Sequence, residues 1–167
     1  MSGIVASLHS APQAHAPMIS LTVAHVMPGK GIEGDRYSAY PRLPHLSANM
    51  PYEVTLVEQE ALEALKALQP DTWMEPGGRR NIVIHSCSLQ TLAGCLFRIG
   101  EVLFYGAALR DAPCDSSEHT QHSICGGLHH QWLGASILTE GFIYPGDCIE
   151  NVSFTLEDFR REQASFL

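Results

Sequence analysis

Cys114 stands directly after Pro113, where an apolar run breaks off, and any chemistry in this chain is expected to centre on it. The thiolate is the reactive form of cysteine, whether as nucleophile or as metal ligand. A thiol at a strand end, before a helix N-terminus, has its pKa lowered by backbone N–H groups and by a neighbouring arginine. Arg110 is close enough in sequence to help, while Asp111 and Asp115 push the other way. Taken alone, one Pro-Cys pair describes an inert thiol more readily than a reactive one. The stretch from Arg110 to Glu150 also holds four of the nine histidines and a second cysteine, Cys125. Its series Cys114-x4-His119-x2-His122-x2-Cys125-x3-His129-His130 is made of thiolate and imidazole, the ligands zinc prefers. The spacing matches no standard zinc finger, whose ligands come as two close, well-separated pairs. His119, His122 and Cys125 therefore stand as an alternative zinc set, against a polar helix whose histidines face water.

Other chemistries are poorly served. There is no G-x-S-x-G elbow for a serine hydrolase. A pyridoxal-phosphate enzyme needs a Schiff-base lysine, and the two lysines are Lys30, in a loop, and Lys66, on the surface of a predicted helix. The stretch Pro28 to Tyr37 has three glycines in six residues, which suits a phosphate cradle or a structural turn equally, and it lacks the dinucleotide and P-loop spacings.

Short strands must position these groups. Alternation and β-forming residues predict strands over Gly3–Leu8, Ser20–Val26, Glu53–Val57, Ile82–His85, Cys95–Ile99, Glu101–Tyr105 extending through Ala107-Ala108-Leu109 to Pro113-Cys114, Ser136–Thr139 and Cys148–Val152. Gly141 to Asp147 reads as a tight return into the last of them. Glu58–Leu68 is the clearest helix, with Leu62, Leu65 and Leu68 at helical spacing, an acidic first turn and Pro70 beyond its end. Ser88–Ala93 reads as a short helical turn, Ser117–Trp132 as partly helical, and Leu156–Phe166 as a polar tail helix against the barrel or a partner. Residues 38–51 read as a mobile loop, and adjacent Arg79 and Arg80 as a solvated edge or a pocket rim. About eight strands with two or three helices predict an α+β, mainly β domain built on a barrel. It spans residues 1–167, with a core over about 4–152 and a tail over 153–167.

The chain of 167 residues is 45% hydrophobic and 17% charged, ordinary for a globular protein. Ten basic against 18 acidic residues give a net charge of -8, which argues against nucleic-acid and anionic-membrane partners. Arg79, Arg80, Arg98 and Arg110 still allow a local basic pocket. No apolar run approaches the roughly 20 residues that span a bilayer. The N-terminus lacks a basic start and a continuous apolar core, so no export signal is expected. With five cysteines, the chain is expected to be cytoplasmic with reduced thiols.

In order and spacing, several elements resemble the MOSC domain, the module named for the C-terminal part of molybdenum cofactor sulfurases. They are Gly31-Ile32-Glu33-Gly34-Asp35-Arg36, Arg80-Asn81-Ile82, Leu92-Ala93-Gly94 with Phe97-Arg98-Ile99-Gly100, Pro113-Cys114, Gly134, and Gly141 with Gly146-Asp147. The resemblance covers roughly Ile4 to Val152 and implies a MOSC-like β-barrel with a few short helices. It implies that Cys114 carries sulfur as a persulfide or ligates molybdenum, and that Asp35, Arg36, Arg80, Asn81 and Arg110 bind the molybdenum cofactor. A cysteine desulfurase or an electron-transfer protein would be the partner. The alternatives are cofactor-dependent reduction of N-hydroxylated compounds, or a MOSC-like scaffold without the cofactor that binds zinc. The chain departs from the family before Gly134, where an arginine is common and His129-His130-Gln131-Trp132-Leu133 stands here.

Overall fold

The computed structural model describes residues 2–36, 38, 52–68, 70, 76–113 and 129–165. The loop expected over 39–51, and the expected helix from Ser117 as far as residue 128, lie outside these.

Period-two alternation dominates the described chain. It yields β1 (Gly3–Ser10), β2 (Ile19–Leu21), β3 (Ala24–Met27), β4 (Gly31–Ile32) and β5 (Val54–Glu58). After these come β6 (Ile82–His85), β7 (Leu96–Ile99), β8 (Val102–Pro113), β9 (His129–Ile137), β10 (Gly141–Ile143) and β11 (Cys148–Asn151). Three short helices interrupt them: α1 (Gln59–Leu68), α2 (Leu89–Leu92) and α3 (Leu156–Ser165), with a 3-10 turn at Pro76–Arg79. The strands pair in the order β11-β7-β8-β9-β5-β6-β1, and β1 returns to β11 through Gly3↔Ile149 and Ile4↔Cys148. The result is a seven-stranded closed barrel, mainly β, which leaves no exposed sheet edge around its ring. Strand β2 extends the sheet beside the C-terminal half of β1, and β10-β3-β4 form a small second sheet.

Pairing is antiparallel except between β5 and β6. Parallel neighbours need a crossover of a dozen or more residues, and the segment containing α1 and the 3-10 turn supplies it. The barrel interior is apolar and closed: Leu8, Leu56, Ile82, Ile84, Phe97, Phe104, Leu133 and Ile149 are all buried in one cluster. Phe97 and Phe104 are directly opposed across β7 and β8 and stack at 5.6 Å. Helix α2 adds Leu89 and Leu92 to this core. Its N-terminus is fixed by Ser88 Oγ, which accepts from the Gln90 N–H, and by Glu58 Oε1, which accepts from the Leu89 N–H. The tail helix α3 lies against the outside of the barrel, where Leu156 and Phe159 face Tyr105 and Leu138 across a groove of about 300 Å³.

Three expectations need correcting. The strand read over Ser20–Val26 is two strands, because the chain leaves β1's side after Leu21 and joins the second sheet at Ala24. Residues 129–132, the end of the stretch expected to be partly helical, instead open β9 and pair with β8 from Pro113↔His129 to Arg110↔Trp132. The strand expected over Ser136–Thr139 is the far end of that same β9.

Candidate functional site

The 3-10 turn Pro76-Gly77-Gly78-Arg79 is where the expected site residues begin to converge. Gly77 has φ of +64°, and a Cβ there would lie 2.6 Å from the His9 ring, so only glycine lets the turn settle on the end of β1. His9 is buried, with Ser7 Oγ 2.8 Å from Nε2, and burial pushes its pKa down. Asn81 follows the turn and ties three strands together. Its Oδ1 accepts from the N–H and the hydroxyl of Thr55, each at 3.1 Å, and its Nδ2 donates to the His9 carbonyl at 3.3 Å. Asp35 braces the same strand end, its Oδ1 accepting from the Ala11 N–H at 3.0 Å while it is 5% exposed. The Arg36 N–H donates to the Ala11 carbonyl at 2.7 Å. Thus Asp35, Arg36 and Asn81 gather around residues 9–11, where these bonds of Asp35 and Asn81 brace the fold.

Arg80 goes elsewhere. Its guanidinium lies 4.5 Å over the Trp132 ring, a cation–π contact that carries the charge from the start of β6 across to β9. Tyr52 packs edge-on to Trp132 at 5.6 Å and covers Gly134, where a Cβ would meet the tyrosine ring at 2.4 Å. Arg110 is exposed on β8 directly opposite Trp132, so both arginines meet the same residue of β9. His130 lies two residues before Trp132 on the same strand face, 7% exposed. Among the described residues, neither of its ring nitrogens has a hydrogen-bond partner. Burial pushes its pKa down, and the charge of Arg80 pushes it further. An anionic ligand group would suit this cluster, because it would meet positive charge and an unsatisfied donor together.

Cys114, His119, His122 and Cys125 lie outside the described residues. Cys114 follows Pro113, the last residue of β8. Among the described residues no group of three or more His, Cys, Asp or Glu could hold a metal ion. Sequence reasoning assigned no site role to Trp132 or Tyr52, and met His130 only in the zinc-like His/Cys series. Leu133, Ala135 and Ile137 alternate as buried residues, and continuing that period backwards would have put Trp132 and His130 together on the other face.

No family model matches the sequence, and neither does any curated protein. Solved structures do. The YuaD protein from Bacillus subtilis matches with a TM-score of 0.63 at 16% identity, over 93% of this chain and 98% of that one. YiiM from Geobacillus stearothermophilus matches at 0.60 and 11% identity, over 90% and 75% of the two chains. YiiM from Escherichia coli matches at 0.56 and 14%, over 91% and 71%. YiiM is a MOSC-domain protein. The fold is MOSC-like. At these identities the likeness concerns the barrel alone. No helix among the described residues of the MOSC-like chain is long and apolar enough to cross a membrane.

A second titratable cluster sits on the small sheet of this MOSC-like fold. His25 Nδ1 is 3.0 Å from Glu33 Oε2, its Nε2 is 2.8 Å from Glu140 Oε1, and its ring stacks on Phe142 at 4.7 Å. Both nitrogens can donate only in the imidazolium, so the hydrogen bonds to Glu33 and then Glu140 raise the pKa. A raised folded-state pKa adds stability that is complete below about 6.5, the unfolded value, and is lost as pH rises through the folded value. Buried His9 and His130, with lowered pKa values, act in the opposite sense and cost stability as pH falls below about 6.5. Urea midpoints measured across this range should decline on both sides. His25→Gln should flatten the alkaline decline and leave the acid one; an unchanged alkaline limb would refute this role for His25.

Proposed function

We propose that this MOSC-like protein binds a molybdenum cofactor or carries sulfur for it, with Cys114 as metal ligand or persulfide carrier. The observation that carries this reading is the cationic platform on β8 and β9: Arg80 on Trp132, with Arg110 opposite and His130 beside it. Cys114 is the next residue after β8 ends, four positions beyond Arg110. The residues present fit an anionic, thiophilic group, since arginines suit a phosphate and a thiolate suits molybdenum. When bound, the cofactor would supply a redox-active metal. The chain itself would supply charge from Arg80 and Arg110 and a ligand sulfur from Cys114. As a sulfur carrier, the Cys114 thiolate would attack the terminal sulfur of a donor persulfide on a cysteine desulfurase. The donor thiolate leaves, and the sulfane sulfur changes hands without net redox.

The test is molybdenum and pterin analysis, with intact mass, of protein purified from a host that makes the cofactor. Molybdenum and pterin in the wild type, reduced at least tenfold in Cys114→Ala, support the ligand role. An added sulfur atom in the wild type alone supports the carrier role. Absence of all three from the wild type overturns both. Turnover of an N-hydroxylated substrate by the loaded protein with an electron donor would move the assignment to the reductase. Stoichiometric zinc, lost on replacing His122 but not Arg80, would move it to the zinc scaffold.

A further inference from the structure

We infer that the groove between helix α3 and the outer face of the barrel binds a small amphipathic carboxylate, an acid with an apolar body and a single anionic head. The first ground is a helix whose apolar stripe is left half open. A ten-residue helix is marginal by itself in water and ordinarily gains its stability by burying one face. In α3 that face is Leu156 and Phe159, three positions apart, yet no residue of the helix is buried. Its start is held instead by a reciprocal cap. The Thr155 N–H and hydroxyl donate to Asp158 Oδ2 at 3.0 and 2.7 Å, and the Asp158 N–H donates to Thr155 Oγ1 at 3.2 Å. The cap sets where α3 begins, and a space of about 300 Å³ stays between the helix and the barrel. That volume is at the lower end of small-molecule sites.

Charge selects the head group. Among the described residues that line the groove none is acidic, although the chain carries 18 acidic against 10 basic residues. The charged group in that lining is Arg160. Its neighbour Arg161 is already engaged, with Glu157 and Asp158 each 4.0 Å away. Among the described residues the Arg160 side chain has no ion-pair or hydrogen-bond partner, and neither does the Tyr105 hydroxyl on the sheet side. A guanidinium offers the paired N–H donors that a carboxylate accepts from, and a phenol offers one more. The rest of the lining, Ala107, Leu138, Leu156 and Phe159 among it, is mostly apolar and suits a short aliphatic or aromatic body. The groove is separate from the β8–β9 platform, because roughly 15 Å of strand lies between Tyr105 and Arg110. This inference therefore stands whether or not the chain takes up molybdenum.

The test is an amide NMR titration of the full chain with octanoate, with octylamine, which keeps the body and reverses the charge, and with acetate, which keeps the head alone. Octanoate should shift the amides of residues 105–107, 136–138 and 156–160 saturably, and the other two probes should bind about tenfold more weakly or worse. Arg160→Gln changes an exposed side chain, so the fold stays intact, and it should lower octanoate affinity about tenfold through the loss of a charge-assisted contact. Ala107→Phe, which fills the space, should abolish the response. Wild-type protein without a saturable octanoate response would overturn the site. Equal binding of octylamine, or full octanoate affinity in Arg160→Gln, would overturn the carboxylate assignment. Shifts of the same amides on concentrating the protein without any probe would mean that a second copy covers the groove, and would overturn the small-ligand reading.

Discussion

Asn81→Ala should destabilise the fold by about 3 kcal/mol, since each lost net hydrogen bond costs roughly 1 kcal/mol and buried groups left unpaired cost more. Three bonds go at once: those from the Thr55 N–H and hydroxyl to Oδ1, and that from Nδ2 to the His9 carbonyl. They join β5, β6 and β1, including the parallel pair that lacks a hairpin to hold its register. The His9 N–H to Asn81 carbonyl bond at 2.8 Å survives, because it is main chain. In a protein of this size the loss corresponds to a melting shift of roughly 6–12 °C. Asn81→Asp keeps the acceptor and the shape but places a carboxylate against the His9 carbonyl, so it should recover only part of the loss. A denaturant curve for Asn81→Ala within about 0.5 kcal/mol of wild type, the ordinary range for surface changes, would refute the bracing role. If the variant is destabilised but still takes up cofactor once folded, then Asn81 serves the scaffold, and Arg80 beside it is left as the residue facing the ligand.

The sequence made the barrel legible wherever burial follows the element's own period. Ile82–His85 and Leu96–Ile99 alternate or run apolar between turns, and α1 shows leucines at helical spacing, so their places could be read directly. The start of β9 could not. Its outer residues are polar or aromatic, His130 and Trp132, yet the face they occupy is covered by Arg80 and Tyr52 rather than water. A polar face that packs against side chains has the composition of a solvated helix, and composition alone does not separate the two. Strand β4 escaped for another reason. It has two residues, and Gly31 adopts φ of +90° with the Glu53 carbonyl 3.0 Å from where a Cβ would stand, so the glycine signalled only a turn. The arginines show both limits at once. Their clustering was visible, but adjacent Arg79 and Arg80 separate in space, Arg79 Nη1 donating to the Ala16 carbonyl at 3.4 Å and Arg80 crossing to β9.

Gly106→Ala should be more damaging still, by about 3 kcal/mol or more, the upper end of overpacking costs. Gly106 lies within β8, and an added Cβ would stand 2.1 Å from the Leu92 carbonyl oxygen and 3.2 Å from Ala93 Cα. Every atom it meets is backbone, so no side chain can rotate away. The approach is fixed from both sides. The Gly94 N–H donates to the Gly106 carbonyl at 2.8 Å, and the Gly106 N–H donates to the Cys95 carbonyl at 3.0 Å. Those bonds hold the end of α2 on the sheet, and with it Leu89 and Leu92 in the core. Relief must come from lifting α2 away or from slipping β8 past its bulge between Gly106 and Ala108. A slip would carry Arg110 out of register with Trp132, while lifting α2 would leave β8 and β9 paired. Amide exchange therefore separates the two: early loss of protection in residues 89–95 alone indicates the helix, and loss along 108–112 indicates the strand. A variant as stable as wild type would mean that the close approach of α2 to β8 is not held in solution. Gly134→Ala, which meets a tyrosine ring instead of backbone, should cost less, because Tyr52 can tilt. That ordering, Gly106 above Gly134, follows from the atoms opposite each glycine and not from the glycines themselves.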